Sequence, residues 1–522
     1  MFIHHTLERA VRLFGDHEAV VCGETRLTYR QVGERVARLA GALVAQGVAA
    51  GDRVGILMPN CHRYMETYLA AERAGAVLVP LNHRLAPAEL SAILTDAEAT
   101  WLVTDTALLA PAEAGAAKVP SLCGMVVAGA AAAGRADVLD YEAALAAAMP
   151  LERVARPWQE QDLVQLYYTS GTTGRPKGVM LSQRNVMSNA YHALLIHGLG
   201  SEDVWLHAAP MFHLADAWTA WTVTWVGARH IFLPQFDPSG FLELVQQERV
   251  TKTLLVPTMI NMIVNHPDLS AYDTRTLRLI TFGASPMPAD RLRAALAALP
   301  CRFSQLYGMT ETSPFATQLH PEDMVLEGEE RLVRRLLSCG REIPGVRVRV
   351  VRDGGDEVAP GEVGEIIMAG PNVMLGYWRQ PEATAAVLRD GWMHSGDLAT
   401  VDDEGYIFIV DRKKDMIITG GENVYSTEVE DALYKHPAVL EAAVIGVPDE
   451  RWGERVHAVV VLRPGMSATV EELQAFCRQH IAGYKVPRSV DFAESLPKTG
   501  SGKIQKAELR ERYWQGYERR VH

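Results

Sequence analysis

Three groups of residues in this chain have the types and spacing needed to handle a nucleoside polyphosphate. The first is the run Tyr168-Thr169-Ser170-Gly171-Thr172-Thr173-Gly174-Arg175-Pro176-Lys177-Gly178. Its glycines let backbone N–H groups converge on one concavity, its hydroxyls add donors, and Arg175 and Lys177 add positive charge. It is not a Walker A loop: counted from Gly171, the second glycine would fall at Pro176 and the Ser/Thr at Gly178. The second group is Gln305-Leu306-Tyr307-Gly308-Met309-Thr310-Glu311-Thr312. It offers a ring that can stack on adenine, a hydroxyl that can donate to a phosphate, and a carboxylate that can hold Mg²⁺ directly or through water. The third, Gly391-Trp392-Met393-His394-Ser395-Gly396-Asp397-Leu398, is expected to present Asp397 in a turn, suited to accept from both ribose hydroxyls. Any one of these alone reads as a flexible loop, a turn or a helix cap. Together, in one chain, they point to a nucleotide site.

The elements that must position these groups are legible as strands. Asp162-Leu163-Val164-Gln165-Leu166-Tyr167 leads into the first loop, and Leu279-Ile280-Thr281-Phe282 leads into the turn Gly283-Ala284-Ser285-Pro286. Gly283 and Ala284 have little or no side chain and suit the close approach of a flat ring. Further β-branched runs (Val54-Gly55-Ile56-Leu57-Met58, Ala76-Val77-Leu78-Val79-Pro80, Leu254-Leu255-Val256-Pro257) alternate with helical patterns, which predicts an α/β fold with parallel sheets covered by helices. The Ala-rich stretch 107–148 contains a strand at Met125-Val126-Val127 and a helix over 141–148, so it belongs to such a layer. From 346 to 410 short alternating strands separated by Gly/Asp/Pro turns predict a small β-rich subdomain. Beyond Asp411-Arg412-Lys413-Lys414-Asp415 about a hundred residues remain, enough for a further small domain.

Composition narrows the function class. At 522 residues the chain exceeds what one core usually supports. A hydrophobic content of 48% with 22% charge is that of a soluble globular protein. The net charge of -12 argues against nucleic acid as a partner, so an anionic ligand must meet a local cationic site. The six cysteines are scattered, which fits a reduced cytoplasm and neither a zinc site nor a disulfide framework. An amphipathic helix at Thr6-Leu7-Glu8-Arg9-Ala10-Val11-Arg12-Leu13-Phe14 stands where a secretory signal would be, and the most apolar stretch, 124–133, is too short to span a bilayer. A cytoplasmic protein without an integral membrane segment is expected.

In this order, and over residues 27–506, the groups resemble the adenylate-forming superfamily of acyl-CoA synthetases, luciferases and peptide-synthetase adenylation domains. The resemblance also rests on Pro210-Met211-Phe212-His213, on Asp411-Arg412-Lys413-Lys414-Asp415 with Gly420-Gly421-Glu422-Asn423, and on Pro497-Lys498-Thr499-Gly500-Ser501-Gly502-Lys503-Ile504. The last segment is not a P-loop, since Pro497 and Ile504 occupy the positions of the first glycine and the Ser/Thr. What the resemblance implies is a large N-terminal domain of two α/β sheet layers, residues 1–411, with its β-rich subdomain at about 340–411. A small mobile α+β domain follows over 412–522, with a hinge near 412–415. It further implies ATP, Mg²⁺ and coenzyme A, with a small-molecule carboxylic acid, ATP and CoA as partners; a homodimer is a further expectation, with the oligomeric state left open.

The residue roles implied by the resemblance are specific. The loop from Thr169 to Lys177 takes the β- and γ-phosphates, Thr310 the α-phosphate and Glu311 the Mg²⁺. Tyr307 and the Gly283-Ala284-Ser285 turn flank adenine, with Gly308 and Met309 beside them, and Asp397 and Arg412 hold the ribose. Lys503 reaches the α-phosphate and carboxylate oxygens, Lys414 is the hinge, and Gly420 and Gly421, followed by Glu422, line the pantetheine path with Trp452 near the nucleotide end of CoA. Amino-acid-activating relatives have an aspartate directly after the phenylalanine of this region. Here His213 follows Phe212, and Asp216 lies one helical turn on, so an amino acid is disfavoured. His213 and Gly308 border the acyl pocket. Trp218, Trp221 and Trp225 follow at helical spacing, which is ordinarily core packing, although Trp218 or Trp221 can wall an apolar channel. The expected activity is an AMP-forming acyl-CoA synthetase for a monocarboxylic medium- to long-chain fatty acid. The alternatives are an aryl or cinnamate-type CoA ligase and a fatty acyl-AMP ligase serving a carrier protein.

Overall fold

Runs of Val, Ile and Leu without polar alternation, such as Val77–Pro80 and Gly124–Ala128, are buried on both faces, the signature of strands inside a helix-covered sheet. The structure, a computed structural model, describes residues 1–129, 137–169, 176–284, 287, 289–449, 451–498 and 503–515. The chain divides into two compact units. The first comprises 1–336, 340–347 and 368–393; the second comprises 337–339, 348–367 and 394 onward.

Among the described residues the first unit contains two large sheets. One has nine strands in the order Arg341–Glu342, Thr317–Leu319, Arg302–Tyr307, Leu279–Gly283, Lys252–Leu255, Val204–His207, Arg229–Phe232, Glu18–Cys22 and Thr25–Thr28. Its central strands are parallel, with Leu255 opposite Phe282 and Gly283 opposite Leu306. The other has eight, running from Gly376–Tyr377 through Lys177–Ser182, Leu163–Thr169, Val77–Pro80, Arg53–Leu57, Ala99–Asp105 and Gly124–Ala128 to Val138–Asp140. The helix Gln183–His197 follows the strand Lys177–Ser182 without a loop. Ser182 starts it by accepting from Asn185 N, and Gly198, at φ +53°, ends it in the left-handed conformation.

The second unit holds a C-terminal sheet in the order Glu422–Val424, Ile417–Thr419, Gly453–Leu462 and Val439–Asp449, with Ser489–Phe492 also paired to Gly453–Leu462. The helices Ser426–Tyr434 and Val470–Arg478 pack their apolar faces on this sheet through Val429, Leu433, Leu473 and Cys477. This unit also includes the strand Ile407–Arg412, antiparallel to Trp392–Val401, with Asp397 opposite Arg412. Asp397 thus lies inside a ten-residue strand and not in a turn. What reads as a turn in sequence is a local bend: Gly396 sits at φ +73° and the register shifts between Leu398 and Ala399. The β-rich residues 348–367 and 394–410 share a unit with the C-terminal residues, and the 411–415 segment bonds to both, through Arg412 to Asp397, Lys413 to Asp353 and Asp411 to Ser426. Among the described residues no helix is long and apolar enough to cross a membrane.

Candidate active site

In the first unit, the parallel strands Leu279–Gly283 and Arg302–Tyr307 end side by side, and ligands of open α/β sheets bind beyond such carboxyl ends. The Gly283-Ala284 turn is therefore a neighbour of Tyr307. Gly283 is required by this approach, because a Cβ there would lie 2.4 Å from the Leu306 carbonyl oxygen. Gly308 is more constrained still, at 1.9 Å from the Pro314 carbonyl oxygen. Ala284 is exposed at φ +68°, while Ser285 lies outside the described residues.

Thr310–Thr312 make a single 3₁₀ turn, which leaves Met309 and Thr310 half-buried and turns Glu311 inward to 7% exposure. Its Oε1 accepts from the Tyr377 phenol at 2.9 Å, and its backbone carbonyl accepts from Met374 N at 2.9 Å. The Lys177 ammonium sits over the Tyr377 ring, 4.8 Å from its centre. Burial first, and then the Glu311 charge, push the Tyr377 phenol well above its ordinary pKa, so it remains a donor. Lys177, Tyr377 and Glu311 thus form one connected file joining the two sheets. Two buried asparagines brace it. Asn372 Nδ2 donates to the carbonyls of Thr312 (2.6 Å) and Phe315 (2.7 Å), and Asn185 Nδ2 donates to those of Pro371 (2.9 Å) and Val373 (2.6 Å). Sequence reasoning missed Tyr377 and Asn372. Both lie about sixty residues from the groups they hold, and no local pattern marks them.

Thr169 and Lys177 face each other across the antiparallel pair of Leu163–Thr169 and Lys177–Ser182, which closes the base of the phosphate-type loop. Ser170, Gly171, Thr172, Thr173 and Gly174 lie outside the described residues. His213 precedes the short helix Leu214–Ala217, its ring 4.5 Å from that of Phe212, which in turn meets His83 edge-on at 5.0 Å. The backbone ahead of it is pinned by Asn60, whose Oδ1 accepts from Met211 N at 2.8 Å, and by Tyr68, whose hydroxyl donates to Met211 O at 3.2 Å.

Asp216 is fully buried, accepting from Trp205 Nε1 at 3.1 Å and contacting His207 Nδ1 at 2.7 Å, so it is committed within the protein. Trp218 and Trp221 are 0% and 1% exposed. Trp218 packs among His197, Trp205 and Phe315 and donates to Ala215 O at 2.8 Å; Trp221 packs on Tyr68. These contacts make both tryptophans core residues.

The second unit carries the other constellation. Arg412 Nε lies 3.1 Å from Asp397 Oδ1, bringing the two ribose candidates together. Lys413 N donates to Gly396 O at 2.8 Å and its ammonium to Asp353 at 2.7 Å. Gly420 and Gly421, both at positive φ, make the two-residue turn between Ile417–Thr419 and Glu422–Val424 that only such residues allow readily. Glu422, paired with Thr419, is exposed on the rim of this hairpin. The Trp452 ring lies against Gly420, where a Cβ would come within 2.7 Å. Arg451 and Arg488 flank that ring at 4.6 and 4.9 Å, a cationic pair that sequence reasoning did not single out.

Lys503 directly precedes Ile504, which is bridged to Lys498, and Gln505 N donates to Pro497 O at 2.8 Å. Gly500, Ser501 and Gly502 lie outside the described residues. Three positions on, Lys506 is enclosed. Burial lowers its basicity, but Glu430, Asp411 and Asp415 outweigh this, and its pKa is raised. Burial raises the Asp411 carboxyl, with Lys506 opposing.

The AMP-binding enzyme family profile matches residues 7–378, and the AMP-binding enzyme C-terminal domain profile matches residues 428–503. The chain is 44% identical over 506 residues to a feruloyl-CoA synthase of Amycolatopsis sp, covering 97% of this chain and 98% of that one. It is 37% identical over 533 residues to the fatty acid–[acyl-carrier-protein] ligase ScoC of Streptomyces coeruleorubidus, covering 100% and 99% respectively. The structure of the amide bond synthetase McbA from Marinactinospora thermotolerans superposes with a TM-score of 0.87 at 31% identity, covering 98% of this chain and 100% of that one.

Proposed function

This chain belongs to the AMP-binding enzyme family, as an ATP-dependent, AMP-forming carboxylic acid–CoA ligase, and we propose that its acid is an aromatic propenoic acid of the hydroxycinnamate type. The observation that carries the choice of acid is the 44% identity, over nearly the whole chain, to a feruloyl-CoA synthase, against 37% to a fatty acid ligase. Two features support it. The acyl-side residue His213 sits in an aromatic group with Phe212 and His83, and Trp218 and Trp221 are packed in the core. The commitment of Asp216 to Trp205 and His207 leaves it unsuited to a substrate ammonium.

In the first half-reaction an oxygen of the acid attacks the α-phosphorus of ATP, the bond from that phosphorus to the bridging oxygen breaks, and pyrophosphate leaves with the electron pair. The acid is already ionised at neutral pH, so no general base is needed. Neutralising charge is the task. Lys177 and the loop begun by Thr169 hold the β- and γ-phosphates, Thr310 donates to the α-phosphate, and Lys503 offsets charge on the α-phosphate and acid oxygens. Glu311, a hard carboxylate oriented by Tyr377, would hold Mg²⁺ directly or through water, which would supply positive charge against the departing pyrophosphate. Tyr307 and Gly283-Ala284 flank adenine, and Asp397 with Arg412 holds the ribose.

In the second half-reaction the C-terminal domain swivels at Lys414. The CoA sulfur then attacks the acyl carbon, the acyl–oxygen bond to AMP breaks, AMP leaves with that pair, and the thiol proton passes to solvent. Gly420 and Gly421 border the pantetheine, and Arg451 and Arg488 beside Trp452 meet CoA phosphates.

Pyrophosphate release and acyl-CoA formation, measured over a panel of ferulic, coumaric and cinnamic acids and linear C6 to C14 acids, test this. The aromatic acids should lead in kcat/KM by tenfold or more. A rise of about fourfold per methylene along the linear series, the value of burying one CH₂, with slow aromatic turnover, would establish the second reading, a fatty acid ligase. ADP as product would overturn both.

A further inference from the structure

The linker 411–415 leads into the last hundred residues, and its contacts change along its length. Arg412 and Lys413 bond to Asp397, Gly396 and Asp353, on and near the strand Trp392–Val401. The Asp411 backbone still pairs with Leu398 of that strand, but its carboxylate and the far end of the linker bond the other way. Asp411 accepts from the backbone and hydroxyl of Ser426, at the start of the helix Ser426–Tyr434, and that hydroxyl also receives the Lys506 ammonium at 2.6 Å. Arg510 spans the far end of the linker: Nη1 donates to Lys414 O at 3.2 Å and Nη2 to Asp415 Oδ1 at 2.9 Å. The Arg510 and Asp415 side chains are only 10% and 12% exposed, so water competes poorly for these bonds.

Lys506 and Arg510 stand on one helix, Lys506–Trp514, which begins three residues after Lys503. That helix is held to the sheet by buried Leu509 and by Trp514 Nε1, which donates to Gly446 O at 3.0 Å. We propose that Arg510 is a positioning residue that fastens the C-terminal side of the linker to the helix following Lys503, so that rotation within the linker is delivered to Lys503 and not lost as slack. A guanidinium suits this because its planar fork holds two acceptors on successive residues in fixed geometry, which a single ammonium cannot do. The Gly420-Gly421 hairpin needs no such fastening. It continues from the linker through Ile417–Thr419, with Gly420 five residues beyond Asp415, whereas Lys503 lies almost ninety residues away in sequence and the helix after it reaches back to the linker by side chains. Loss of Arg510 therefore harms the step that uses Lys503 and spares the step that uses the hairpin. This rests on the roles of Lys503 and of the linker given under the proposed function.

The test compares Arg510→Met, Arg510→Lys, Lys503→Ala and the Lys503→Ala/Arg510→Met double variant in full-length enzyme. Single-turnover pyrophosphate release reads the first half-reaction, and conversion of supplied acyl-adenylate by CoA reads the second. Arg510→Met should slow adenylation on the order of tenfold to a hundredfold, the cost of misplacing a reacting group by about 1 Å. The KM for ATP and the thioester step should stay within twofold. Arg510→Lys, which keeps the ion pair to Asp415 only, should fall between, and it serves alone if the methionine variant does not fold. In the Lys503→Ala background Arg510→Met should add nothing further. Equal loss in both half-reactions, or additive loss in the double variant, would mean a merely structural arginine and overturn the proposal. If Lys503→Ala loses adenylation while Arg510→Met retains it, this proposal alone fails; if Lys503→Ala retains adenylation, the assignment of Lys503 fails and takes this proposal with it.

Discussion

Replacing Tyr377 with phenylalanine removes one oxygen and leaves the ring, so the stacking of Lys177 at 4.8 Å persists while the donor to Glu311 is lost. Glu311 is 7% exposed, and water can replace that donor only poorly. A hydrogen bond to a charged acceptor contributes about 1.5–3 kcal/mol, and each 1.4 kcal/mol is a factor of ten in rate. If the bond orients the carboxylate that serves the departing pyrophosphate, Tyr377→Phe should slow adenylation by roughly 10- to 150-fold. The Mg²⁺ concentration for half-maximal rate should rise in parallel, while thioester formation from supplied acyl-adenylate stays at the wild-type rate. The assay is single-turnover pyrophosphate release across a Mg²⁺ titration, in wild type, Tyr377→Phe, Glu311→Gln and the double variant. Because the phenol acts through Glu311, its removal should cost little once Glu311 is glutamine. Wild-type adenylation in Tyr377→Phe, or the same loss in both backgrounds, would refute the reasoning.

Other outcomes follow from the same geometry. Lys503→Ala should lose adenylation by on the order of 10²-fold or more, the scale of one transition-state charge partner, and retain the thioester step. Lys414→Pro should do the reverse, since a fixed φ hinders the swivel; half-reaction rates measured separately decide both. Gly308→Ala places a methyl 1.9 Å from Pro314 O; it should displace the Tyr307–Glu311 segment and abolish adenylation, with circular dichroism and a melting curve to separate this from unfolding. Burial holds His192 and His197 down to about 4. In the unfolded chain they titrate near 6.5, so their stabilisation is complete above that pH and is lost as the pH falls from 6.5 to 4, by about 3 kcal/mol for each at most. Urea midpoints over that range should fall in wild type and fall less steeply in His192→Gln.

Much of the fold was legible because strand and helix formation here obeys short-range rules. The runs at 53–57, 77–80, 124–128 and 279–283 are rich in apolar and β-branched residues whatever surrounds them, and they became strands within a residue or two of the expected bounds. The third group differs from its sequence expectation for a physical reason. Ser395-Gly396-Asp397 has turn composition, yet the ladder to Ile407–Arg412 carries the strand through it, and the glycine at φ +73° absorbs the bend. The tryptophan stripe after His213 was ambiguous in sequence because helical spacing names a face without saying what covers it. Trp205 and Phe315, from distant segments, cover it.

By itself the sequence determined the chemistry available and the order in which it appears: hydroxyls and glycines ahead of Lys177, Thr310 beside Glu311, Asp397, Arg412 and Lys503. These are properties of residue type and of neighbours a few positions apart, which is the range over which backbone geometry dictates contact. Only the tertiary structure decided which groups support them. Tyr377 reaches Glu311 across 66 residues, and Arg510 reaches Lys414 across 96. Asp216 is taken up by His207 and Trp205 in a fully buried network. Such pairings depend on which strands lie side by side and which helix folds back over them. Sheet order and long-range closure settle that, and no local spacing encodes it.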